Sequence, residues 1–380
     1  MFKFYTLRSV FITLIAGLSW TIIGTGIQAN ENSLDIQRIT GSLDFPWSVT
    51  FLDNCEYLVT EKRGRLYHYN STGKRTLVKH TLKVSPGGQG GLLDVVAARD
   101  FTESRQIFLT YATSDSQGLR ALGVSSAELV IDNSQLSNEK TLLVARPGEQ
   151  STFHFGSRIV EANDGTLFIT HGDRGNRESA QDPGNYNGKL LRINRDGTVP
   201  NDNPFVSQAG VLPEIWTFGH RNPQGAGLDL NGNLLTSEHG ARGGDEVNLI
   251  EKGRNYGWPI ISYGTFYTGD KIGIGTALEG MEQPKHYWDP SIAPSGLMVY
   301  SGKLWPEWQG HVFVGSLKFD YIAILDPKSD WREVATIQLP ETKRVRDVRE
   351  APDGTIWFLA EDRNGLYQVK PQGFTPQCSY

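Results

Sequence analysis

The chain of 380 residues has little cysteine, little methionine and no surplus of basic charge. It holds 2 cysteines, 3 methionines, and 37 Lys+Arg against 42 Asp+Glu, for a net charge of −5. A protein whose main partner is nucleic acid carries a basic footprint, and this chain has none. Its cysteines and histidines form no cluster with zinc-site spacing. No Gly-x-Gly-x-x-Gly follows a strand-like run and opens a helix, which argues against a Rossmann dinucleotide site. No Gly-x-Ser-x-Gly elbow occurs. Long apolar helical heptads are absent.

What is present points to β-structure. Glycine reaches 42 residues and aromatics 11 %, above the usual glycine share of ~7 %. The N-terminus opens with Lys3 and Arg8, continues through an apolar or small run from Val10 to Ile27, and reaches Ile27-Gln28-Ala29. That layout reads as a signal peptide over residues 1–29. A membrane anchor is the rival reading, although Gly17, Ser19, Gly24, Thr25 and Gly26 dilute the run. Residues 30–380 read as one domain, periplasmic or secreted. Cys55 and Cys378 stand at opposite ends of that domain. Export permits a bridge between them, and a ring-shaped fold would bring them together; two unpaired thiols is the alternative.

Six segments share one plan of loop, apolar strand, tight turn and β-prone strand. They are Phe45–Tyr69, Gly90–Ala112, His154–Gly172, Gly219–Gly240, Pro294–Asp326 and Arg344–Val369. Asp164-Gly165, Asn231-Gly232-Asn233 and Asp353-Gly354 are hairpin turns. Units of this length belong to propeller blades, and radial repetition leaves only short, protected sheet edges. The expectation is an all-β, six-bladed β-propeller with four-stranded antiparallel blades. A two-sheet sandwich would be oversized and would not explain the repeat. The Gly-, Pro- and Asn-rich stretches Arg174–Pro204 and Tyr263–Trp288 read as long excursions between strands.

One stretch, Gly219–Trp258, crowds Arg221, Asn222, Glu238, His239, Arg242, Asp245 and Glu246 among glycines. That mix suits a polyanion and a hard cation rather than a packed core. Asp245 and Glu246, after Gly240-Ala241-Arg242-Gly243-Gly244, could offer oxygens to Ca²⁺. His154 opens the third repeat, where a loop enters an innermost strand; a histidine there can accept a proton near neutral pH. Taken singly, His154, His171, His220 and His239 could each be an ordinary structural histidine. Gln89 lies among four glycines, which permit close approach of backbone to a ligand. Lys318, Arg344 and Arg346 fall at the ends of repeat strands. Arg344 and Arg346 alternate and share a face, with no nearby acid except Asp347 on the other face, so they invite an anion.

Together the motifs resemble one family. They are Gly87-Gly88-Gln89-Gly90-Gly91, His154-Phe155-Gly156-Ser157-Arg158, Gly219-His220-Arg221-Asn222-Pro223-Gln224-Gly225, Glu238-His239-Gly240, Gly243-Gly244-Asp245-Glu246-Val247-Asn248, Asn255-Tyr256-Gly257-Trp258 and Arg344-Val345-Arg346-Asp347. The family is the soluble quinoprotein glucose/sorbosone dehydrogenases, in the aldose sugar dehydrogenase branch. The resemblance implies a six-bladed propeller that binds pyrroloquinoline quinone (PQQ) and Ca²⁺ and oxidises the C1 hydroxyl of an aldose to a lactone. It implies His154 as general base, with Arg221 beside the reacting centre. It implies Gln89, Arg221, Asn222, Lys318, Arg344 and Arg346 around the quinone. Gly240 and Ala241 would hold the cofactor's Ca²⁺ through backbone carbonyls. Glu246 and Tyr256 would hold a second, structural Ca²⁺. The electrons would pass to an acceptor not named by the sequence. Phe153 stands where the glucose dehydrogenase branch has an aspartate beside its base, so any partner of His154 must come from elsewhere. Ala241 replaces a common proline. A calcium-dependent lactonase would need acidic ligands converging on the channel, and a binding module without cofactor would be expected to lose the histidine or the paired arginines.

Overall fold

The computed structural model describes residues 34–376 and Cys378. The β-prone runs form six antiparallel sheets of four strands each. Their innermost strands are Pro46–Phe51, Leu92–Ala97, Ile159–Glu161, Pro223–Leu228, Pro294–Val299 and Val345–Glu350. Each touches the next, and the sixth touches the first. This is a six-bladed β-propeller, and every one of the six sequence repeats begins at or just before an innermost strand. The stretch around Arg221 opens the fourth blade. Among the described residues the α-helical content is one short turn, Phe101–Ser104. Among the described residues no helix is long and apolar enough to cross a membrane.

The ring closes by strand exchange. Leu34–Thr40 pairs antiparallel with Gly365–Pro371 and becomes the outer strand of the sixth blade. Cys55, in the turn between Pro46–Phe51 and Tyr57–Glu61, is disulfide-bonded to Cys378, with Cα atoms 5.5 Å apart, which ties the C-terminal segment to the first blade. Apolar cores lie between neighbouring blades. Trp47, Phe108, Ile159 and Leu191, from three blades, form one cluster, and Tyr57, Val59, Trp357 and Leu359 fill the closing seam. Alternating strand residues supply these faces, because successive side chains of a strand point to opposite sides of the sheet.

The excursion Arg174–Pro204 proves to contain a strand, Lys189–Ile193, the third of its blade. Flanking Asn and Gly residues hid it in the sequence.

The centre of the ring is plugged by charge. Arg158, 1 % exposed, donates to Asp94 Oδ1 (3.2 Å) and lies 3.0 Å from Asp347 Oδ1. Arg349 reaches both carboxylates as well. The Arg158 guanidinium also lies over the Trp47 ring, 4.1 Å from its centre. The acids of the channel are thus each matched by arginines.

Candidate active site

A cavity of about 690 Å³ opens at one end of the ring. Gln89, His154, Arg221, Asn222, Gly240, Ala241, Lys318 and Arg344 all line it, although they come from five different blades. His239, Arg242, Tyr267 and Asp289 line it as well. Eight of the sequence candidates therefore share one space.

His154 occupies a left-handed backbone conformation (φ 51°) just before its blade's innermost strand. Such a conformation is costly for a residue with a Cβ and needs outside support. The support is visible: its N–H donates to Gln89 Oε1 (2.7 Å). Two residues on, the Gly156 N–H donates to Asn222 Oδ1 (3.1 Å). Gly156 itself has φ 59°, and a Cβ there would sit 2.8 Å from the Thr170 carbonyl oxygen. The imidazole Nδ1 lies 2.6 Å from Asp173 Oδ1. Asp173 is also held by the Gly175 N–H at Oδ1 and the Trp258 indole N–H at Oδ2, both at 2.8 Å. Burial works to raise the Asp173 carboxyl, but the hydrogen bond and charge of His154, with the Gly175 amide and Arg221, hold it below its usual range. An ionised carboxylate only accepts, so Nδ1 carries the proton and Nε2 is left as the basic nitrogen. The partner that position 153 does not supply is therefore Asp173.

The other histidines differ. His220 is bonded on both ring nitrogens, to Glu238 and Thr217, and stacks on Tyr256. His171 is buried and donates from Nδ1 to the Gly172 carbonyl; burial pushes it down to about 3. His239 is held neutral by burial and by the charges of Arg221 and Arg346. Only His154, among these four, joins a carboxylate partner to a place on the cavity wall.

The cations form a graded set. Lys318 is exposed at the wall. Arg221 donates to the His239 carbonyl and lies over the Trp258 ring, while its N–H is held by Glu238. The expectation that Arg344 and Arg346 lack an acid is corrected here: both bind Glu361, at 2.6 and 2.7 Å. Arg344 reaches the cavity; Arg346 is buried behind it, donating to Gln224 Oε1 as well. Lys62, which the sequence reading missed, is a third cation around the same carboxylate. Burial and the two guanidiniums hold its ammonium below the usual range against the pull of Glu361. Burial opposes ionisation of Glu361, yet Arg346, Arg344 and Lys62 bring it down to about 2. Three cations share one carboxylate, so the cluster has positive charge to spare for an anion.

The glycine-rich loop is built differently from the expectation. Asp245 accepts from the Gly240 N–H, Ser291 and the Ala293 N–H. Its oxygens brace the loop, and Gly240 and Ala241 line the cavity instead. A Cβ on Gly240 would meet the Gly243 carbonyl at 2.2 Å. Glu246 and Tyr256 lie away from the cavity. The Tyr256 hydroxyl donates to the Leu249 carbonyl and accepts from the Glu251 N–H, so its carbonyl is the group it could offer a cation. Glu246 sits opposite Glu238 on the neighbouring strand, and burial plus that charge push its carboxyl up to about 8. Among the described residues, no three His, Cys, Asp or Glu side chains gather as metal ligands.

The family model described as Glucose / Sorbosone dehydrogenase matches residues 43–368. The chain belongs to this family. The family expectation drawn from the motifs is met, and the protein is an oxidoreductase enzyme. Among its relatives, the aldose sugar dehydrogenase YliI of Escherichia coli is 37 % identical over 357 residues, 92 % of this chain and 96 % of that protein. The quinoprotein glucose dehydrogenase B of Acinetobacter calcoaceticus is 27 % identical, over 90 % and 88 % of the two chains. The crystal structure of the soluble aldose sugar dehydrogenase from Escherichia coli, in its apo-form, superposes with a TM-score of 0.83 at 37 % identity, covering 90 % of this chain and 100 % of that one.

Proposed function

We propose that the protein is an exported, PQQ- and Ca²⁺-dependent aldose dehydrogenase that oxidises the C1 hydroxyl of its sugar to the lactone. The observation that carries this reading is the His154–Asp173 pair in a cavity that also holds Arg221, Lys318 and Arg344. The residues fit a tricarboxylate quinone. Lys318 and Arg344 would hold carboxylates from the wall, with Arg346 and Lys62 adding charge from behind. Gln89 and Asn222 would hydrogen-bond its polar edge. When bound, PQQ supplies the two-electron acceptor, chemistry that no side chain provides.

The chain's own residues do the rest. His154 Nε2 takes the proton of the C1 hydroxyl as the carbon loses hydride. Asp173 stabilises the imidazolium that results and keeps Nδ1 protonated throughout. Arg221, fixed by the His239 carbonyl and Trp258, sets a positive charge in the cavity where negative charge develops during hydride transfer. Gly240 and Ala241 would hold a Ca²⁺ through their backbone carbonyls, where it would add positive charge to the cavity. A structural Ca²⁺ at Glu246 and the Tyr256 carbonyl fits a carboxylate that otherwise faces another across the ladder.

Residues 1–29, the export signal in this reading, lie outside the described residues. The Cys55–Cys378 bridge supports an oxidising compartment, periplasmic or extracellular. Residues 30–380 act as a single domain, and the electrons leave to an acceptor outside the cytoplasm. The test is to load the apoprotein with PQQ and Ca²⁺, add aldoses and a dye acceptor, and follow dye bleaching. Bleaching that needs all three components is expected. No bleaching with any aldose refutes the function.

A further inference from the structure

Arg174 follows Asp173 directly, in a left-handed corner (φ 58°) where the strand Leu167–His171 leaves its sheet. It is 2 % exposed, far more buried than a guanidinium usually is. Its Nε donates to the Phe153 carbonyl (3.1 Å) and its Nη2 to the Ser151 carbonyl (2.5 Å). Its guanidinium lies over the Phe155 ring, 3.5 Å from the ring centre. Burial lowers its affinity for the proton to about 10, partly offset by Glu149 and Asp173, so it stays charged at neutral pH.

The Phe153 carbonyl and the His154 N–H belong to one peptide group. Arg174 holds the oxygen end and Gln89 the N–H end. That peptide group determines the direction in which His154 leaves the backbone. The same two-residue corner thus acts twice on the base, Asp173 on its ring and Arg174 on its backbone. We propose that Arg174 is a positioning residue for His154: by fixing the Phe153–His154 peptide it keeps the imidazole on Asp173. The proposal rests on His154 being the base.

Its test uses the full chain, with and without cofactor. In apoprotein, the His154 Nδ1–H on Asp173 gives a downfield proton resonance, assigned by its loss in His154→Gln. Arg174→Ala should lose or strongly shift that resonance. Loaded with PQQ and Ca²⁺, it should lose about 100-fold in kcat, the usual penalty for a misplaced catalytic group, while KM for the sugar and affinity for PQQ hold. Arg174→Lys, which reaches only one of the two carbonyls, should recover part of both signals. If Arg174→Ala does not fold, Arg174→Lys decides alone, by a shifted resonance and a lowered kcat. Folded variants that lose thermal stability but keep the resonance and the wild-type kcat overturn the proposal, as does a wild type without the resonance. A wild type that oxidises no aldose refutes the function instead, and the resonance still decides the role of Arg174.

Discussion

Replacing Asp173 by asparagine removes one charge and almost no volume, and the surroundings make its effect calculable. Three donors converge on the carboxylate: His154 Nδ1–H and the Gly175 N–H on one oxygen, the Trp258 indole N–H on the other. An amide has only one oxygen. If that oxygen faces His154 and Gly175, the NH₂ opposes the indole N–H; if it faces Trp258, the NH₂ opposes Gly175 and His154. Either orientation leaves a buried donor without an acceptor, a loss of about 1–3 kcal/mol in stability. The second orientation also presents a donor to Nδ1, which drives the proton to Nε2 and abolishes the base. General base catalysis contributes about 10²–10⁴-fold, so kcat for aldose oxidation in Asp173→Asn should fall by that order. PQQ affinity, followed by cofactor absorbance, should not change. The assay is dye reduction at saturating sugar on fully loaded enzyme. A folded, loaded Asp173→Asn with wild-type kcat would refute the claim that the Asp173 charge supports His154 as the base.

Two further outcomes follow from buried charge. Glu361 is held from its ordinary 4.5 down to about 2. A depressed carboxyl contributes stability that is complete above its unfolded value and disappears as pH falls through its folded value. Glu361→Gln should therefore destabilise the apoprotein by about 3 kcal/mol at pH 7, measured by denaturant titration, with the difference from wild type shrinking below pH 4.5 and gone near pH 2. Arg158→Met leaves Asp94 and Asp347 short of a partner in the channel; a loss of about 3–5 kcal/mol is expected by the same titration, and an unchanged midpoint would mean that Arg349 alone suffices.

The propeller was legible because its cause is periodic. Each blade needs an apolar inner strand and tight turns, and these recur six times. The strand Lys189–Ile193 escaped notice because its flanking glycine and asparagines resemble a loop. The site was legible where a residue type is chemically unusual, as with His154, Arg221 and Lys318. It was not legible where function depends on a partner across a hairpin. Yet the signal for two such partners was present. The turn at Asp164-Gly165 pairs Ile159 with Ile169, and that register, carried outward, brings residue 154 level with 174. The turn at Asp353-Gly354 pairs Val345 with Ala360, which places Arg344 level with Glu361. Reading the turns as registers would have brought both carboxylates within one residue, the second offset arising from a bulge between Val345 and Asp347. Lys62 had no such signal, since it meets the arginines across the closing seam between the first and sixth blades.

The central claim is that His154 removes the proton from the sugar in a quinone-loaded cavity. Turnover of wild type and His154→Ala, each shown by absorbance to carry the same amount of PQQ, tests it most directly. Turnover of the variant is expected to fall by about 100-fold or more with its cofactor in place. Full turnover in a loaded His154→Ala would contradict it.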